Sequence, residues 1–388
     1  MTKIAFHLIG DERWHAGFVY LANLLRALRQ YAENEVTLSL MVWDGQSRVP
    51  EELIHVAHEI VVYPKYRRWT VPWFIGRGTA RILGHDLWSD HALKQLGVHV
   101  IAFGVAPHGT KIPVFAWLPD FQHIHLREMF SYEESRNRDH HFKLLAAGST
   151  RIILLSEFVR HDFATFFPLH KHKARVVRPV SHIPSSAYET DPGCVTKIYS
   201  LPDKFIYLPN QFWKHKNHRA VFRALRILKE RGTEPFLACS GPLNDYRHPN
   251  YFGQLLQEIS ECGISNQIAF LGLIPREHVY MMIRQSICVL NPSLFEGFGL
   301  AVDEARSIGK RILLSDIEVH REQDPPQGVF FDPTDEEDLA EKIKKAWEET
   351  TPGPDLDLEE KARQNQPTRM AAFAGSFMSV VKEVIKPN

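Results

Sequence analysis

Two carboxylates eight positions apart lie in the most informative stretch of the sequence, NPSLFEGFGLAVDEARSIGKRILLSD, residues 291–316. An apolar strand pattern comes before this pair. Glu296 precedes a helical pattern that begins near Leu300, and Glu304 falls about one turn inside that pattern. Carboxylates placed in this way can accept hydrogen bonds from the hydroxyl groups of a ribose or another sugar.

The loop between this strand and this helix suits an anion. Gly297 and Gly299 have no Cβ, so a bulky group can approach the backbone closely. The free amides of Phe298, Gly299 and Leu300 would point at that group from the positive end of the helix. The stretch as a whole predicts a site for a nucleotide diphosphate whose sugar hydroxyls contact the two carboxylates.

Strands that alternate with helices must position this site. Short apolar runs alternate with helical spacing along the chain, which predicts parallel sheets with right-handed crossovers. The predicted fold class is α/β, with two Rossmann-like, doubly wound domains that face a central cleft. The predicted strands are residues 3–9, 36–43, 59–63, 98–103, 113–118, 151–156 and 174–180 in the first series, and 205–209, 236–241, 267–273, 287–293, 311–316 and 328–331 in the second.

A segment rich in Pro, Ser and Gly, residues 181–203, interrupts the alternation and predicts the linker between the domains. Residues 1–185 are therefore predicted to form the first domain, and residues 186–365 the domain that carries the carboxylates. The last helical pattern, within residues 366–388, is predicted to cross back and complete the first domain.

The composition excludes several classes of protein. The 388 residues contain 46 Lys and Arg and 46 Asp and Glu, and this balance argues against a nucleic-acid partner, because nucleic-acid-binding domains carry a basic excess. A hydrophobic fraction of 44% argues against a disordered chain. Four scattered cysteines predict neither a disulfide framework nor a metal clip and fit a reducing cytosol. Since no signal-peptide pattern and no apolar run of about 18 residues is present, a cytoplasmic protein is predicted.

The chain resembles the GT-B glycosyltransferases of family 4, a large retaining group that uses nucleotide-sugar donors. The resemblance covers nearly the whole chain and rests on PSLFEGFGL with its E-x7-E pair, LPNQFWKHKNH (208–218), SGP (240–242) and FLGLIP (270–275). It implies transfer of a sugar to an acceptor hydroxyl with retention at the anomeric carbon, in which the leaving phosphate helps to deprotonate the acceptor. It implies no cofactor and no metal, and the single D-x-D, Asp355 and Asp357, follows no strand pattern.

The resemblance also implies which residues hold the donor diphosphate. In the family, an Arg and a Lys about six residues apart neutralise it. This chain has Lys216 at the Lys position but Asn210 where the Arg is expected. Phosphate binding therefore depends on Lys216 and the helix amides, with Lys214 or His215 as further candidates, and Lys216 is predicted to be catalytic together with Glu296.

The remaining donor contacts follow from the same resemblance. Gly241, in the SGP segment, is a predicted donor-binding residue, and contacts to the base fall on the backbone near Gly272 and Ile274. Glu304 contacts the ribose, and Glu296 contacts the hydroxyls of the donor sugar. The side chains of FLGLIP fit a hydrophobic core equally well.

The first half departs from the family pattern. Its Gly-rich loop beside the donor phosphate is GDERWHAGFVYL, from which Gly17 is carried over, although a glycine at a helix start fits as well. Where many members place a His near the anomeric centre, this chain has AWLPDFQHIH, so Asp120 and His123 are the predicted contacts at the reacting centre. His123 and His125 lack the third ligand that a metal would need.

Basic and aromatic residues interleave in YPKYRRWTVPWF, residues 63–74. Arg67, Arg68, Trp69 and Trp73 suit the headgroup layer of an anionic membrane, stacking on a saccharide acceptor, or a loop packed on its own domain. The predicted first domain carries 22 Lys and Arg against 17 Asp and Glu, which favours an anionic acceptor or a peripheral place at the inner face of the membrane.

Several alternatives remain open from the sequence. The predicted donor is a UDP-sugar such as UDP-glucose, with GDP-mannose second, and the predicted acceptor is a saccharide or a lipid-linked saccharide in polysaccharide assembly. The alternatives are a GT-B nucleotide-sugar epimerase and a non-catalytic sugar- or nucleotide-binding module, and the intact E-x7-E argues against the module. A Rossmann dehydrogenase is disfavoured because no predicted strand is followed by G-x-G-x-x-G.

Overall fold

The structure, a computed structural model, describes residues 1–10, 16–43, 49–63, 71–83, 86–105 and 109–385. In these ranges, thirteen strands form two parallel sheets. The first sheet contains β1 (Thr2–His7), β2 (Val36–Trp43), β3 (Glu59–Tyr63), β4 (Val100–Ala102), β5 (Val114–Trp117), β6 (Arg151–Leu154) and β7 (Ala174–Val176). The second sheet contains β8 (Ile206–Leu208), β9 (Leu237–Cys239), β10 (Ile268–Phe270), β11 (Val289–Asn291), β12 (Ile312–Ser315) and β13 (Gly328–Phe331).

Both sheets are doubly wound. The first has the strand order β3-β2-β1-β4-β5-β6-β7 and the second β10-β9-β8-β11-β12-β13. Each begins at an inner strand, grows to one edge and then resumes on the other side, so switch points lie between β1 and β4 and between β8 and β11. The predicted α/β class with two Rossmann-like domains is confirmed, and each strand overlaps one of the predicted segments.

Helices connect these strands. The helices that precede β8 are α1 (Ala16–Tyr31), α2 (Glu51–Ile54), α3 (Val71–Leu83), α4 (Leu87–Gln95), α5 (Gln122–His125), α6 (Tyr132–Gly148), α7 (Glu157–Phe166), α8 (Ser186–Glu189) and α9 (Cys194–Ile198). Those that follow it are α10 (His218–Glu230), α11 (Tyr251–Glu261), α12 (Arg276–Gln285), α13 (Leu300–Ile308), α14 (Glu318–Gln323), α15 (Glu336–Glu349) and α16 (Leu356–Val384). Within the described ranges, no helix combines the length and the apolar character that crossing a membrane requires.

Helix α16 begins well before the apolar pattern near Met370 that signals it in the sequence. The Asp355 carboxylate accepts a hydrogen bond from the Leu358 amide over 3.1 Å, which satisfies one of the unpaired donors of the first turn. The first residue of the D-x-D is therefore engaged in starting a helix.

Strand β8 shows how the second sheet is held rigid. Successive residues of a strand face opposite sides of the sheet. Ile206 and Leu208 pack into a cluster with α10, α11 and α15. Tyr207, and Phe205 just before the strand, pack into a second cluster with α12 and α13. Apolar packing on both faces fixes the strand, and with it the loop that follows.

The described chain divides into two compact units. The first unit contains Met1–Phe121, Arg136–Val180 and the residues from Thr368 onward. The second contains Gln122–Ser135 and Ser181–Pro367. Residues 122–135 therefore cluster with the second unit, although in sequence they lie between two strands of the first sheet.

The last part of α16 supplies core residues to the first unit. The Phe377 ring stacks on Phe6, with 5.6 Å between the centroids, and meets Phe115 edge-on at 6.1 Å. Further along the helix, Glu383 forms an ion pair with Arg175 at 2.8 Å. The last part of α16 thus packs against β1 and β5 and pairs with β7.

Candidate active site

The switch point of the second sheet brings two asparagines together. Asn210 follows β8, and Asn291 is the last residue of β11. Both are buried, and Nδ2 of Asn210 donates to Oδ1 of Asn291 over 3.2 Å. Parallel sheets bind ligands in the crevice at such a switch point. Asn210, at the position where an Arg was expected, therefore ties the two strand ends together.

The predicted pair Lys216 and Glu296 forms an ion pair next to these strand ends. Lys216 ends a short 3₁₀ turn after β8, and Glu296 lies in the loop after β11. Nζ of Lys216 donates to Oε1 of Glu296 over 2.5 Å, and the two side chains are only 15% and 10% exposed. Because charges interact more strongly away from water, each side chain holds the other in place.

Ser293 places a second donor at the Glu296 carboxylate. Its Oγ lies 2.7 Å from Oε1 of Glu296 and 2.7 Å from Oδ1 of Asn291, so its one hydrogen can serve either acceptor. Burial opposes ionisation of Glu296, but the charge of Lys216 and the hydrogen bonds from Lys216 and Ser293 outweigh it and leave the pKa of Glu296 below its ordinary value. At neutral pH the carboxylate is therefore anionic and suited to accept hydrogen bonds from the hydroxyls of a ligand.

Helix α13 begins at Leu300, as predicted, and its N-cap is Gly299. The φ angle of Gly299 is +88°, in the left-handed region that favours glycine. Glycine supplies no side-chain acceptor to the first amides of the helix. The positive end of α13 therefore presents its amides in the loop that carries Glu296.

The second carboxylate of the E-x7-E pair has a cation that the sequence analysis missed. NH2 of Arg276, the first residue of α12, donates to Oε1 of Glu304. Nε of Arg276 donates to the Tyr280 hydroxyl over 3.1 Å, and the guanidinium lies 5.0 Å from the centre of that ring. A ribose hydroxyl at Glu304 would share the carboxylate with Arg276.

Gly241 joins the loops that follow β8, β9 and β10. Its φ is +132°, its amide donates to the Gly272 carbonyl over 2.8 Å, and a Cβ on it would stand 2.7 Å from the Asn210 carbonyl oxygen. Among the described atoms, none lies within 4 Å of the Cβ position of Gly272. The side chain of Ile274 is buried in the core, and the contact predicted between this residue and the base is through its backbone.

A family model covers all of these contacts. Residues 198–368 match the model described as "Glycosyl transferases group 1". We refer to this segment, which is similar to group 1 glycosyl transferases, as the group 1 domain. Both carboxylates of the E-x7-E pair, together with their cations, lie inside it.

Two curated relatives are similar to parts of the chain. An uncharacterized glycosyltransferase of Methanocaldococcus jannaschii is 21% identical over 221 residues, which are 54% of this chain and 54% of the relative. The O-antigen chain mannosyltransferase RfbU of Salmonella typhimurium is 21% identical over 185 residues, 45% of this chain and 50% of the relative. The chain thus spans about half the length of the curated relatives it matches.

The Anabaena protein HepE, solved in complex with UDP and glucose, is similar along the whole fold. Its TM-score is 0.68 at 14% sequence identity, and the match covers 99% of this chain and 100% of HepE. At this identity the likeness concerns the fold alone, and it is consistent with the GT-B class.

Two predicted residues outside the group 1 domain belong to the first unit. Gly17 lies in the first turn of α1, where a Cβ would stand 2.7 Å from the carbonyl oxygen of Ile9. Only glycine lets the helix approach the backbone this closely, so Gly17 has a packing role whatever it binds. Asp120 lies 3.5 Å from Arg138 of the same unit.

His123 falls in the same compact unit as the group 1 domain, in α5. It is almost completely buried, and the centre of its ring is 6.2 Å from that of Phe130. The His125 ring lies 5.0 Å from the ring of Phe295, the residue before Glu296. The His-x-His segment therefore lies next to the loop that carries the first carboxylate.

Arg247 anchors this segment, and nothing in the sequence analysis singled it out. Its NH1 donates to Oε1 of Gln122 over 3.1 Å, and its guanidinium carbon lies 4.6 Å from the ring centre of Phe130 and 5.1 Å from that of Trp213. The Asp245 carboxylate lies 3.6 Å from Nε of Arg247. A buried guanidinium among aromatic rings and a carboxylate holds residues 122–130 on the group 1 domain.

The structure describes only part of the basic and aromatic segment that was predicted to contact an acceptor or a membrane. Arg67, Arg68 and Trp69 lie outside the described residues, and Trp73 is part of α3. In the part of the chain that is described, no three His, Cys, Asp or Glu side chains gather as a metal ion would need.

Proposed function

We propose that the protein is a retaining glycosyltransferase of GT-B family 4. It moves a sugar from a nucleotide-diphosphate sugar to a saccharide or lipid-linked saccharide acceptor. The observation that carries this proposal is the Lys216–Glu296 ion pair beside the amides that open α13, inside a group 1 glycosyltransferase domain. A cation, helix amides and a carboxylate are the groups that a diphosphate bearing a sugar requires.

In the proposed mechanism, the donor diphosphate accepts hydrogen bonds from the amides of Phe298, Gly299 and Leu300 and from the Lys216 ammonium. As the bond between the anomeric carbon and the phosphate oxygen breaks, these groups stabilise the negative charge that grows on the oxygen. The leaving phosphate takes the proton of the acceptor hydroxyl on the same face of the sugar, so the new bond forms with retention. Glu296 orients the donor sugar through its hydroxyls, and Glu304 holds the ribose.

The proposed donor is a UDP-sugar such as UDP-glucose, in line with the UDP and glucose bound to HepE. GDP-mannose is the second candidate, in line with the mannosyltransferase RfbU. Thermal unfolding with UDP, GDP and ADP tests the base, because a ligand of the native state at a hundredfold excess over its Kd stabilises it by about 2.7 kcal/mol. UDP is expected to raise the Tm most. A larger shift with GDP would favour GDP-mannose, and no shift with any of the three would contradict nucleotide binding.

A transfer assay decides the reaction. The protein is incubated with the donor and a panel of saccharide acceptors, and the anomeric configuration of the product is read by NMR. Retention is expected, at a rate that EDTA leaves unchanged. An inverted product would refute the retaining mechanism, an isomerised donor without transfer would favour the epimerase, and loss in EDTA that Mn²⁺ restores would refute metal independence.

We also propose that the first unit contacts the anionic inner face of a membrane, where a lipid-linked acceptor would lie. Helix α3 packs against α4, and large apolar side chains are exposed on both. Those on α3 recur at helical spacing, as in helices that lie in the membrane interface. The exposed side chains are Val71, Phe74, Ile75 and Ile82 on α3 and Leu87 and Trp88 on α4.

Co-sedimentation with vesicles tests this contact. The protein is expected to pellet with vesicles that contain phosphatidylglycerol, and the double variant Phe74→Asp, Ile75→Asp is expected to stay in the supernatant. Leu169, which is 84% exposed in the same unit but far from α3 in sequence, supplies the matched control Leu169→Asp, which should still pellet. If the double variant pellets with the vesicles as fully as the wild type does, a role for α3 in membrane contact is refuted.

A further inference from the structure

Two backbone carbonyls of the loop before α13 face one buried amide side chain. Gln323 is the last residue of α14 and is 9% exposed. Its Nε2 donates to the carbonyl oxygen of Phe298 and lies 3.3 Å from that of Gly299. A side-chain amide has two hydrogens on its nitrogen, so Gln323 can serve both carbonyls at once.

These two contacts determine where the neighbouring amides point. In a planar trans peptide the C=O and N–H bonds point in opposite directions. When the Phe298 carbonyl faces Gln323, the N–H of Gly299 points away from it. The Gly299 carbonyl sets the N–H of Leu300 in the same way, and also accepts the first helical hydrogen bond from Val302 over 3.1 Å. Two of the three amides assigned to the donor diphosphate therefore take their direction from Gln323.

Helix α14 is held firmly enough to serve as this support. Nδ1 of the fully buried His320 lies 2.9 Å from the Ser315 carbonyl oxygen, to which it must donate, and this ties the helix to the end of β12. Arg306 of α13 donates to the Gln323 backbone carbonyl over 2.9 Å, which fixes the end of α14. A Cβ on Gly299 would stand 3.3 Å from Nε2 of His320 and 3.4 Å from Nε2 of Gln323, so this close approach depends on glycine.

We propose that Gln323 is a positioning residue for the donor diphosphate. It does not touch the ligand. It holds the Phe298 and Gly299 carbonyls on one side of the loop, so that the Gly299 and Leu300 amides already face the phosphates before the donor arrives. This inference rests on the proposed function, because it requires a nucleoside diphosphate at the start of α13.

The test separates recognition of phosphate from folding. Affinities of UDP and of uridine, which lacks the phosphates, are measured by calorimetry and by competition for the wild type and for Gln323→Met, which keeps the side-chain length and removes the donor. UDP affinity is expected to fall roughly tenfold or more, since two oriented hydrogen bonds to a charged group are disturbed. Uridine affinity is expected to stay within twofold. If another base stabilises the wild type most, its diphosphate and nucleoside replace this pair.

Gln267→Met is the matched control. Gln267 is also buried, and its Nε2 donates to Glu234 over 3.2 Å, before β10 and outside the site. This variant should lower the Tm and leave both affinities unchanged. If Gln323→Met does not fold, Gln323→Asn takes its place, because Asn keeps the amide on a shorter side chain. Its loss of UDP affinity is compared with its loss of uridine affinity in the same way.

Different results would overturn the proposed function and the role of Gln323. A wild type that binds none of UDP, GDP and ADP overturns the proposed function and the inference with it. A wild type that binds UDP, combined with a Gln323→Met variant whose UDP affinity is unchanged or falls only as much as its uridine affinity, overturns the inference alone.

Discussion

The two carboxylates of the E-x7-E pair lie in different surroundings although they are eight residues apart. Glu296 is in a loop, and its partners Lys216 and Ser293 also come from loop and turn positions after strand ends. Glu304 is on a helix, and its partner Arg276 begins another helix and is also bonded to Tyr280. The first pair is built from groups that a ligand at the switch point can reach, whereas the second links two helices.

This difference leads us to expect different roles for the two pairs in the proposed reaction. Among the described residues, Glu296 is the one side chain to which the structure shows Lys216 hydrogen-bonded or ion-paired. In the proposed mechanism, the donor diphosphate draws Lys216 away from Glu296, and the freed carboxylate turns to the sugar. Arg276 remains on Tyr280, so Glu304 can bind a ribose without any change in its own ion pair.

The largest expected effect is that of Glu296→Gln on transfer. The amide keeps the shape of the side chain but cannot balance Lys216 or accept hydrogen bonds as a carboxylate does, so kcat/KM should fall about 100- to 1,000-fold. This fall is measured from initial rates, with a donor sugar on whichever of UDP, GDP and ADP raises the Tm most. A loss no greater than that of Glu304→Gln would erase the distinction between the two pairs, and an unchanged rate would refute the assignment of Glu296.

A double-mutant cycle on Lys216→Met and Glu296→Gln should give the next largest effect. The ion pair is mostly buried, so each single change leaves a charged or polar partner unmatched, and the two changes should be non-additive by about 1–3 kcal/mol in the free energy of unfolding. Urea unfolding without nucleotide measures it. The same cycle on Arg276→Met and Glu304→Gln should give a smaller coupling, because Arg276 keeps Tyr280; a larger coupling there would reverse the comparison.

Glu304→Gln should reduce kcat/KM about tenfold, chiefly through a higher KM for the donor. One hydrogen bond to the ribose loses its charge, which corresponds to about 1.4 kcal/mol, while Arg276 stays in place. Steady-state kinetics with varied donor concentration separate KM from kcat. A fall confined to kcat would place Glu304 at the reacting centre instead.

The smallest effect concerns acid stability. The pKa of Glu296 is lowered in the folded protein, so its ionisation adds stability above the pKa of the unfolded chain, and that contribution disappears as the pH falls through the folded-state pKa. Urea unfolding from pH 7 downward should therefore show a smaller loss of stability in Glu296→Gln than in the wild type. Parallel curves for the two proteins would mean that Lys216 does not hold the carboxylate ionised.

What could be predicted from the sequence is what lies close together along the chain. The strand patterns and the start of α13 near Leu300 depend on hydrophobic periodicity, which short stretches of sequence encode. Lys216 is identified through the family resemblance, which expects a Lys after the first strand of the second series.

The partners supplied by other elements could not be predicted. Arg276 reaches Glu304 from 28 residues away, and Gln323 reaches Phe298 from 25 residues away, each through the packing of one helix beside another. Arg247 meets Gln122 from 125 residues away. Such contacts depend on how the elements pack, which spacing in a single sequence does not encode. In the sequence, Asn210 stands out only because it replaces an expected Arg. Its hydrogen bond to Asn291 forms because β8 and β11, which are distant in the sequence, lie side by side in the sheet.

The position of the last part of α16 after the second unit in the sequence determines the order in which the two units can be completed during synthesis. The first unit needs Phe377 and Glu383, which follow the whole of the second unit in sequence, to pack on β1 and β5 and to pair with Arg175. The second unit ends at Pro367 and has all of its residues earlier. Domains fold largely as units while the chain is made from its amino end. Here the unit whose strands come earlier in the sequence is completed after the second unit. Until then, the apolar surface that Phe377 covers on the first sheet remains without its helix.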